Sequence, residues 1–298
     1  MYNFLNIGVD LRVHENGQIY FLEANSYPVL VEEYEELYGN CRPLEALVKA
    51  LEPLDEKIVL VYAEKYFNEN PEPKHFFKKF SELNKKGCDT CLLDYKDYKK
   101  KLISNDGKEF DKGIIFCPKL TRTKTIINNN PDFLVVNSHK IRKITKDKIL
   151  CNEILENYSD VKVPSTWVFR TSNKLKEIFK NSGFEKLIIK PVFGKQGEGI
   201  EMVDKNTDFG SIKLGTKTWM AQEYIPVEKK NGENWDLRVF VVNGKYAGAV
   251  TRLSETIATN VHLGGRVEKL DKNLNEEEIG KIAEECVKAF EEYFLNKK

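Results

Sequence analysis

Residues 7–25, IGVDLRVHENGQIYFLEAN, restrict the fold more than any other stretch of the chain. Strand-type residues flank Asn16-Gly17, a pair whose easy access to positive φ marks the two-residue turn of a β-hairpin. With those residues as the loop, Glu15 pairs with Gln18 and Asp10 faces Glu23. Side chains alternate along a strand, so Gly8, Asp10 and Arg12 share a face with Glu23 and Asn25. Val9, Leu11, Val13, Tyr20, Leu22 and Ala24 then point the other way, into a core. A four-residue loop would give the same faces.

Two directly opposed carboxylates, about 5 Å apart at Cβ, repel each other unless a cation lies between them. Hard oxygen ligands with no His or Cys nearby suit Mg²⁺, which takes one or two carboxylates and completes its shell with substrate phosphates. The alternative is a solvated strand face on which Arg12 supplies the counter-charge. The hairpin alone leaves both readings open.

The 298 residues are enough for about two domains. With 47 Lys+Arg against 46 Asp+Glu and 41% apolar residues, the chain is neither a disordered tail nor a strongly basic nucleic-acid binder. Met1–Val13 lacks a basic segment followed by a long apolar one, and no run approaches the roughly 18 apolar residues of a membrane span. The expectation is a soluble, cytoplasmic protein with no nucleic-acid or membrane partner. Six scattered cysteines fit reduced thiols better than a disulfide framework. Only Cys88-Asp-Thr-Cys91 has suggestive spacing; it reads as a strand start, with a redox or metal role as the rival.

Short apolar runs at 57–62 (KIVLVY), 113–117 (GIIFC) and 133–137 (FLVVN) have the character of buried parallel strands. Phe76, Phe77, Phe80 and Leu83 recur at helical spacing between the first two. Lys148 to Asn157 reads as a helix, 186–190 (KLIIK) and 218–225 (TWMAQEYI) as strands, and Asp236 to Arg252 as a second hairpin turning at Asn243-Gly244. The last helix is capped by Asn275, carries Glu276, Glu277 and Glu278 in its first turn, and has an apolar stripe running from Ile279 to Phe294.

The run Phe193-Gly-Lys-Gln-Gly-Glu-Gly199 directly follows a strand, so its amides are free to cradle phosphate, with Lys190 as a point charge. It has neither the Walker nor the dinucleotide-binding spacing, and a loop that merely turns the chain is the competing reading. Taken in order, VNSHKIRKITKDKIL (136–150), KVPSTWV (162–168), KLIIKPVFGKQGEGI (186–200), WMAQEYI (219–225), WDLRVFVVNGKYAGAVTR (235–252) and TNVHLGG (259–265) resemble the ATP-grasp superfamily. Within it the sequence is similar to the RimK-like glutamate ligases, and GVDLRVHENGQIYFLEANSYP (8–28) is similar to the family's final metal-binding strands.

The resemblance implies an α/β (α+β) ATP-grasp fold: two α+β subdomains that clasp ATP, plus a small parallel-sheet domain. Lys148 and Lys190 would hold ATP phosphates. Gly194, Lys195, Gln196 and Gly197 would close over them as a lid, and Gln222, Glu223, Tyr224 and Ile225 would form the hinge at adenine. Asp236 falls among the nucleotide-binding positions. Asp10, Glu23 and Asn25 would ligate two Mg²⁺, with Mn²⁺ also compatible, while Arg238, Arg252 and Asn260 would face the acyl phosphate and transferred phosphoryl group. His262, within TNVHLGG, is as compatible with bracing the loop as with catalysis. Two departures stand out: Pro28 is followed by Val29 where glycine is usual, and 228–234 is a charged stretch in place of the usual ribose carboxylate.

The implied activity is ATP-dependent carboxylate–amine ligation through an acyl phosphate. It would join an amino acid such as glutamate to a peptide, a protein tail or a small cofactor. A D-alanine–D-alanine-type ligase and a non-catalytic ATP-binding module are the alternatives; Gly8 and TNVHLGG disfavour the former. In relatives of this kind the Asp…Glu-x-Asn hairpin ends the catalytic domain, whereas here it stands first. The expected organisation is therefore circularly permuted: 1–52 as the last part of the catalytic subdomain, 57–137 as the α/β domain, 138–227 as linker helix and lid, and 228–298 as the remainder. The rival account is a window cut from a tandem array, with residues 1–25 completing a neighbour's site.

Overall fold

The N-terminal hairpin is present as β1 (Asn6–Val13) and β2 (Ile19–Asn25) in the computed structural model. All residues are described except 1–2, 28–29, 55, 70, 85–87, 94–101, 105, 117–127, 130, 195–198, 260, 262–263 and 298. The turn is one residue longer than Asn16-Gly17 predicts. His14 N donates to Gln18 O and Gly17 N to His14 O, both at 2.8 Å, with Gly17 at φ 89°. This is the three-residue loop closed by a left-handed glycine. Pairing beside the turn is therefore offset by one, and Phe21, fully buried with its ring 6.1 Å from that of Phe290, takes the core position expected for Tyr20 and Leu22. Ala24 is buried again, so the alternation slips between Phe21 and Ala24 as it does at a β-bulge, and Glu23 returns to the side of Asp10.

Helices α1 (Val31–Tyr38) and α2 (Arg42–Leu51) follow, then β3 (Ile58–Ala63), α3 (Glu64–Glu69), α4 (Pro71–Leu83), β4 (Cys88–Leu93), β5 (Leu102–Ile103), β6 (Glu109–Phe110), β7 (Gly113–Phe116) and β8 (Phe133–Val136). Two helices in succession, α5 (His139–Lys146) and α6 (Lys148–Tyr158), lead to β9 (Thr166–Phe169), α7 (Ser172–Ser182), β10 (Lys186–Pro191), β11 (Glu201–Asp204) and β12 (Trp219–Glu223). The second hairpin, β13 (Asn234–Val242) and β14 (Lys245–Ser254), precedes β15 (Arg266–Lys269) and α8 (Glu276–Asn296). Asn243 and Gly244 take φ 50° and 75°, the left-handed pair that a type I′ turn requires. A five-stranded sheet has the order β15-β14-β13-β1-β2.

The residues group into two compact units. One comprises 1–8, 25–143 and 240–248. It contains a sheet ordered β4-β3-β7-β8 whose pairings are all parallel, as the three apolar runs predict. Val59, Val61, Ile115 and Phe133 form its core with Leu102 and Phe110. Cys88 lies in β4, where burial pushes its thiol up to about 12, away from the low pKa of a reactive thiolate. Cys41, Cys88, Cys151 and Cys286 are free thiols. In the same unit Asn137 sits at φ 52° and accepts from Leu5 N at 3.1 Å and Asn6 N at 3.4 Å, while its amide donates to Asn6 O and Ser26 O.

The other unit comprises 9–24, 144–239 and 249–298. Its antiparallel sheet, β11-β10-β12-β9, packs Leu187, Ile189, Val203, Ala221, Phe169 and Trp219 against Leu175 and Ile178 of α7. Helix α8 is capped as its sequence predicts: the Asn275 side chain accepts from Glu278 N at 3.3 Å. Ile279, Ala283, Cys286, Val287 and Phe290 are buried, and α8 packs on α6. Among the described residues no helix is long and apolar enough to cross a membrane.

Candidate active site

The second unit's antiparallel sheet has one face free of α7, and its register defines what that face carries. Met202, Ile188, Gln222 and Thr166 lie in one row across the sheet; Lys190, Met220 and Val168 form the next. Val168 and Met202, on the edge strands, expose 48% and 45% of their surface while Met220, Gln222 and Lys190 between them are buried, so the face is a mostly apolar surface with polar Gln222 and Thr166 and a lysine at one end. A flat aromatic base and an attached phosphate match that combination. Gln222 donates to Thr166 Oγ1 at 3.1 Å, and Glu223 Oε2 accepts from Ser165 N at 3.2 Å. Gln222 and Glu223 thus brace the start of β9. Ile225 is buried, and the Tyr224 ring lies 5.9 Å from Lys186 Nζ.

Lys148 opens α6, whose N-cap Asp147 accepts from Leu150 N at 3.1 Å. Its ammonium lies 3.8 Å from Glu23 and donates to Gly194 O at 3.4 Å, joining the β2 carboxylate to the glycine-rich loop. Lys190 is 8% exposed, and its nearby charges are Glu23, Lys148, Arg12 and Asp10. Burial lowers its pKa to about 8, with Glu23 opposing. The acidic pair and both lysines therefore meet within one chain.

Asp10 is completely buried. Arg238 donates to it through Nε and through Nη2 at 2.9 Å, and Arg252 Nη2 lies 2.9 Å from its Oδ2. Burial raises its pKa, but Arg238 and Arg252 outweigh that and hold it at about 2. Arg252 also donates to Asp236 through Nε at 2.7 Å and Nη2 at 2.8 Å, and Thr259 Oγ1 donates to the same carboxylate. Asp236 thus positions Arg252. Burial opposes the charge on Arg252, yet Asp10 and Asp236 raise its pKa. Arg12 is also buried, with Asp236, Tyr224 and Arg252 as its charged neighbours.

The hard oxygens of Asp10 and Glu23 fit Mg²⁺ in kind. Two carboxylates cannot complete its shell, so an ion here fits as one that arrives with phosphates and water. Among the described residues no cluster of three or more metal-ligating side chains occurs. Asn25, which ends β2, keeps a buried amide nitrogen without a hydrogen-bond partner among the described residues. Lys195, Gln196, Gly197, Asn260 and His262 lie outside the described residues. Thr259 and Thr166 stand within TNVHLGG and KVPSTWV, but their roles come only from partners distant in the chain.

The fold is shared with two solved structures. A chain from Methylobacillus flagellatus KT, provisionally assigned as a gamma-glutamylcysteine synthetase, superposes with a TM-score of 0.64 at 13% identity, covering 99% of this chain and 90% of that one. The ATP-grasp ligase PsnB, complexed with minimal precursor, Mg and ADP, gives 0.52 at 15% identity over 78% and 79%. The architecture is that of the ATP-grasp class. The chain belongs to the RimK-like ATP-grasp domain family, which it matches over residues 145–295. That stretch holds Lys148, Lys190, Asp236, Arg238 and Arg252 and leaves out Asp10, Glu23 and Asn25. The coenzyme gamma-F420-2:alpha-L-glutamate ligase of Methanococcus maripaludis is 27% identical over 151 residues, 49% of this chain. The chain spans about half of that relative's length, 52%.

Proposed function

We propose that this protein is an ATP-dependent carboxylate–amine ligase that joins a glutamate-type amino acid to a small cofactor or peptide. The meeting of the Asp10/Glu23 pair with Lys148 and Lys190, in a RimK-family chain, carries this reading. A carboxylate oxygen of one substrate attacks the γ-phosphorus of ATP and ADP leaves; the amine of the other then attacks the acyl carbon and expels phosphate. Such chemistry needs positioning and charge neutralisation rather than a protein nucleophile. Lys148 and Lys190 hold phosphate oxygens against the apolar sheet face. Arg238 and Arg252, locked in place by Asp10 and Asp236, stabilise the negative charge that develops. Asp10, Glu23 and Asn25 would hold Mg²⁺, two ions in the full arrangement and with Mn²⁺ as a substitute, and the metal supplies further neutralisation of the triphosphate.

The hairpin of β1 and β2 stands ahead of the family-matched segment, and the contacts of Glu23 with Lys148 and of Asp10 with Arg238 support a circularly permuted catalytic subdomain built from 1–52 and 228–298. The test of function is ADP release from ATP with a panel of amino acids and acceptors, with hydroxylamine trapping of the acyl phosphate. Amino-acid-stimulated ADP release supports the ligase; ATP binding without any stimulated release points to a non-catalytic module. Moving residues 3–52 behind residue 296 tests the permutation, which predicts a folded protein with the same activity.

A further inference from the structure

Arg12 is a buried cation with one N–H left over. It exposes 5% of its surface, and its Nε meets no hydrogen-bond acceptor among the described residues. Asp236, the carboxylate among its electrostatic neighbours, already accepts two bonds from Arg252 and one from Thr259. Asp10, two residues before it on β1, already accepts from Arg238 and lies 2.9 Å from Arg252 Nη2. Burying a guanidinium N–H without an acceptor is unfavourable, so Nε is poorly explained as a structural prop.

Its surroundings specify the missing partner. Tyr224 and Lys190 are both within electrostatic reach of it. Around it Arg12, Arg238, Arg252, Lys148 and Lys190 outnumber Asp10, Asp236 and Glu23, so the cluster has room for further negative charge. A guanidinium fork matches the geometry of phosphate oxygens, which a neutral base or sugar does not offer.

We propose that Arg12 is a phosphate-binding residue of the nucleotide site, its Nε–H donating to a phosphate oxygen of ATP. This rests on the ligase reading above and adds to it a residue outside the family-matched segment.

The test uses the full chain, the parent beside Arg12→Met and Arg12→Lys. Calorimetric titrations with Mg²⁺-AMPPNP, adenosine and inorganic phosphate are run next to thermal unfolding without ligand. Arg12→Met is expected to unfold at the same temperature as the parent or higher, because an uncompensated buried charge is gone. It should bind AMPPNP about 10- to 100-fold more weakly while holding adenosine unchanged, and Arg12→Lys should recover part of the loss. A lower unfolding temperature with equal loss of both ligands would show a structural role and overturn the proposal. So would AMPPNP affinity equal to the parent's, or a loss confined to inorganic phosphate. If the parent binds no AMPPNP, the nucleotide site itself is wrong and both readings fall; if the parent and Arg12→Met bind it equally, only the role of Arg12 falls.

Discussion

Arg238 Nη2 donates to Asp10 Oδ2 at 2.9 Å, although 228 residues separate the two along the chain. Removing one member of a buried ion pair leaves the other uncompensated, at a cost of about 3–5 kcal/mol. Asp10→Ala, which strands Arg238 and leaves Arg252 with Asp236 alone, should lose that much stability in urea unfolding. The double variant Asp10→Leu/Arg238→Met should lose less than the two single changes added together.

Glu23→Gln keeps the shape of the side chain and removes its charge. Turnover should fall about 10²- to 10³-fold, the usual cost of deleting one preorganised electrostatic contact. ATP binding should weaken without vanishing, because Lys148 and Lys190 remain. Turnover near the parent's, measured as ADP release over a Mg²⁺ series, would remove Glu23 from the mechanism.

Lys190 predicts a proton balance. Burial lowers its pKa from 10.5 to about 8. Between those values the unfolded chain holds a proton that the folded chain lacks, so this residue makes stability rise with pH across the window. A phosphate beside the amine pushes the pKa back up. AMPPNP binding at about pH 8.5 should therefore take up protons, with little uptake at about pH 6.5. Calorimetry in two buffers of different ionisation enthalpy measures this, and Lys190→Met should abolish the uptake.

Gly248 takes φ 136°, and a Cβ there would lie 2.6 Å from Tyr34 Oη. Gly248→Ala combines a strained backbone with overpacking and should cost about 1–3 kcal/mol. Pairing it with Tyr34→Ala should recover the steric part but not the strain. Equal stability of parent and single variant in urea would show that the ring moves away freely.

Local rules carried the sequence reading a long way. Asn275 announced the cap of α8, Asn243-Gly244 the turn between β13 and β14, and three apolar runs the parallel strands. Asn16-Gly17 gave the right hairpin and the wrong register, because glycine closes a three-residue loop as readily as a two-residue one. The pairing of Asp10 with Arg238, the bond from Thr259 to Asp236 and the burial of Arg12 were not legible. Each depends on segments brought together only by the folded sheet, which no local pattern encodes.

The position of β1 between β13 and β2 also bears on how the molecule is made. β1 and β2 leave the ribosome before β13, the strand that must flank β1, which follows only after some two hundred more residues have been added. Until then an apolar two-stranded ribbon has an open edge, the kind of surface that invites wrong partners. Closing so distant a pair is slow. Synthesis of this protein should accordingly depend on holding factors that shield the early hairpin, and fragments ending before Asn234 should aggregate rather than fold.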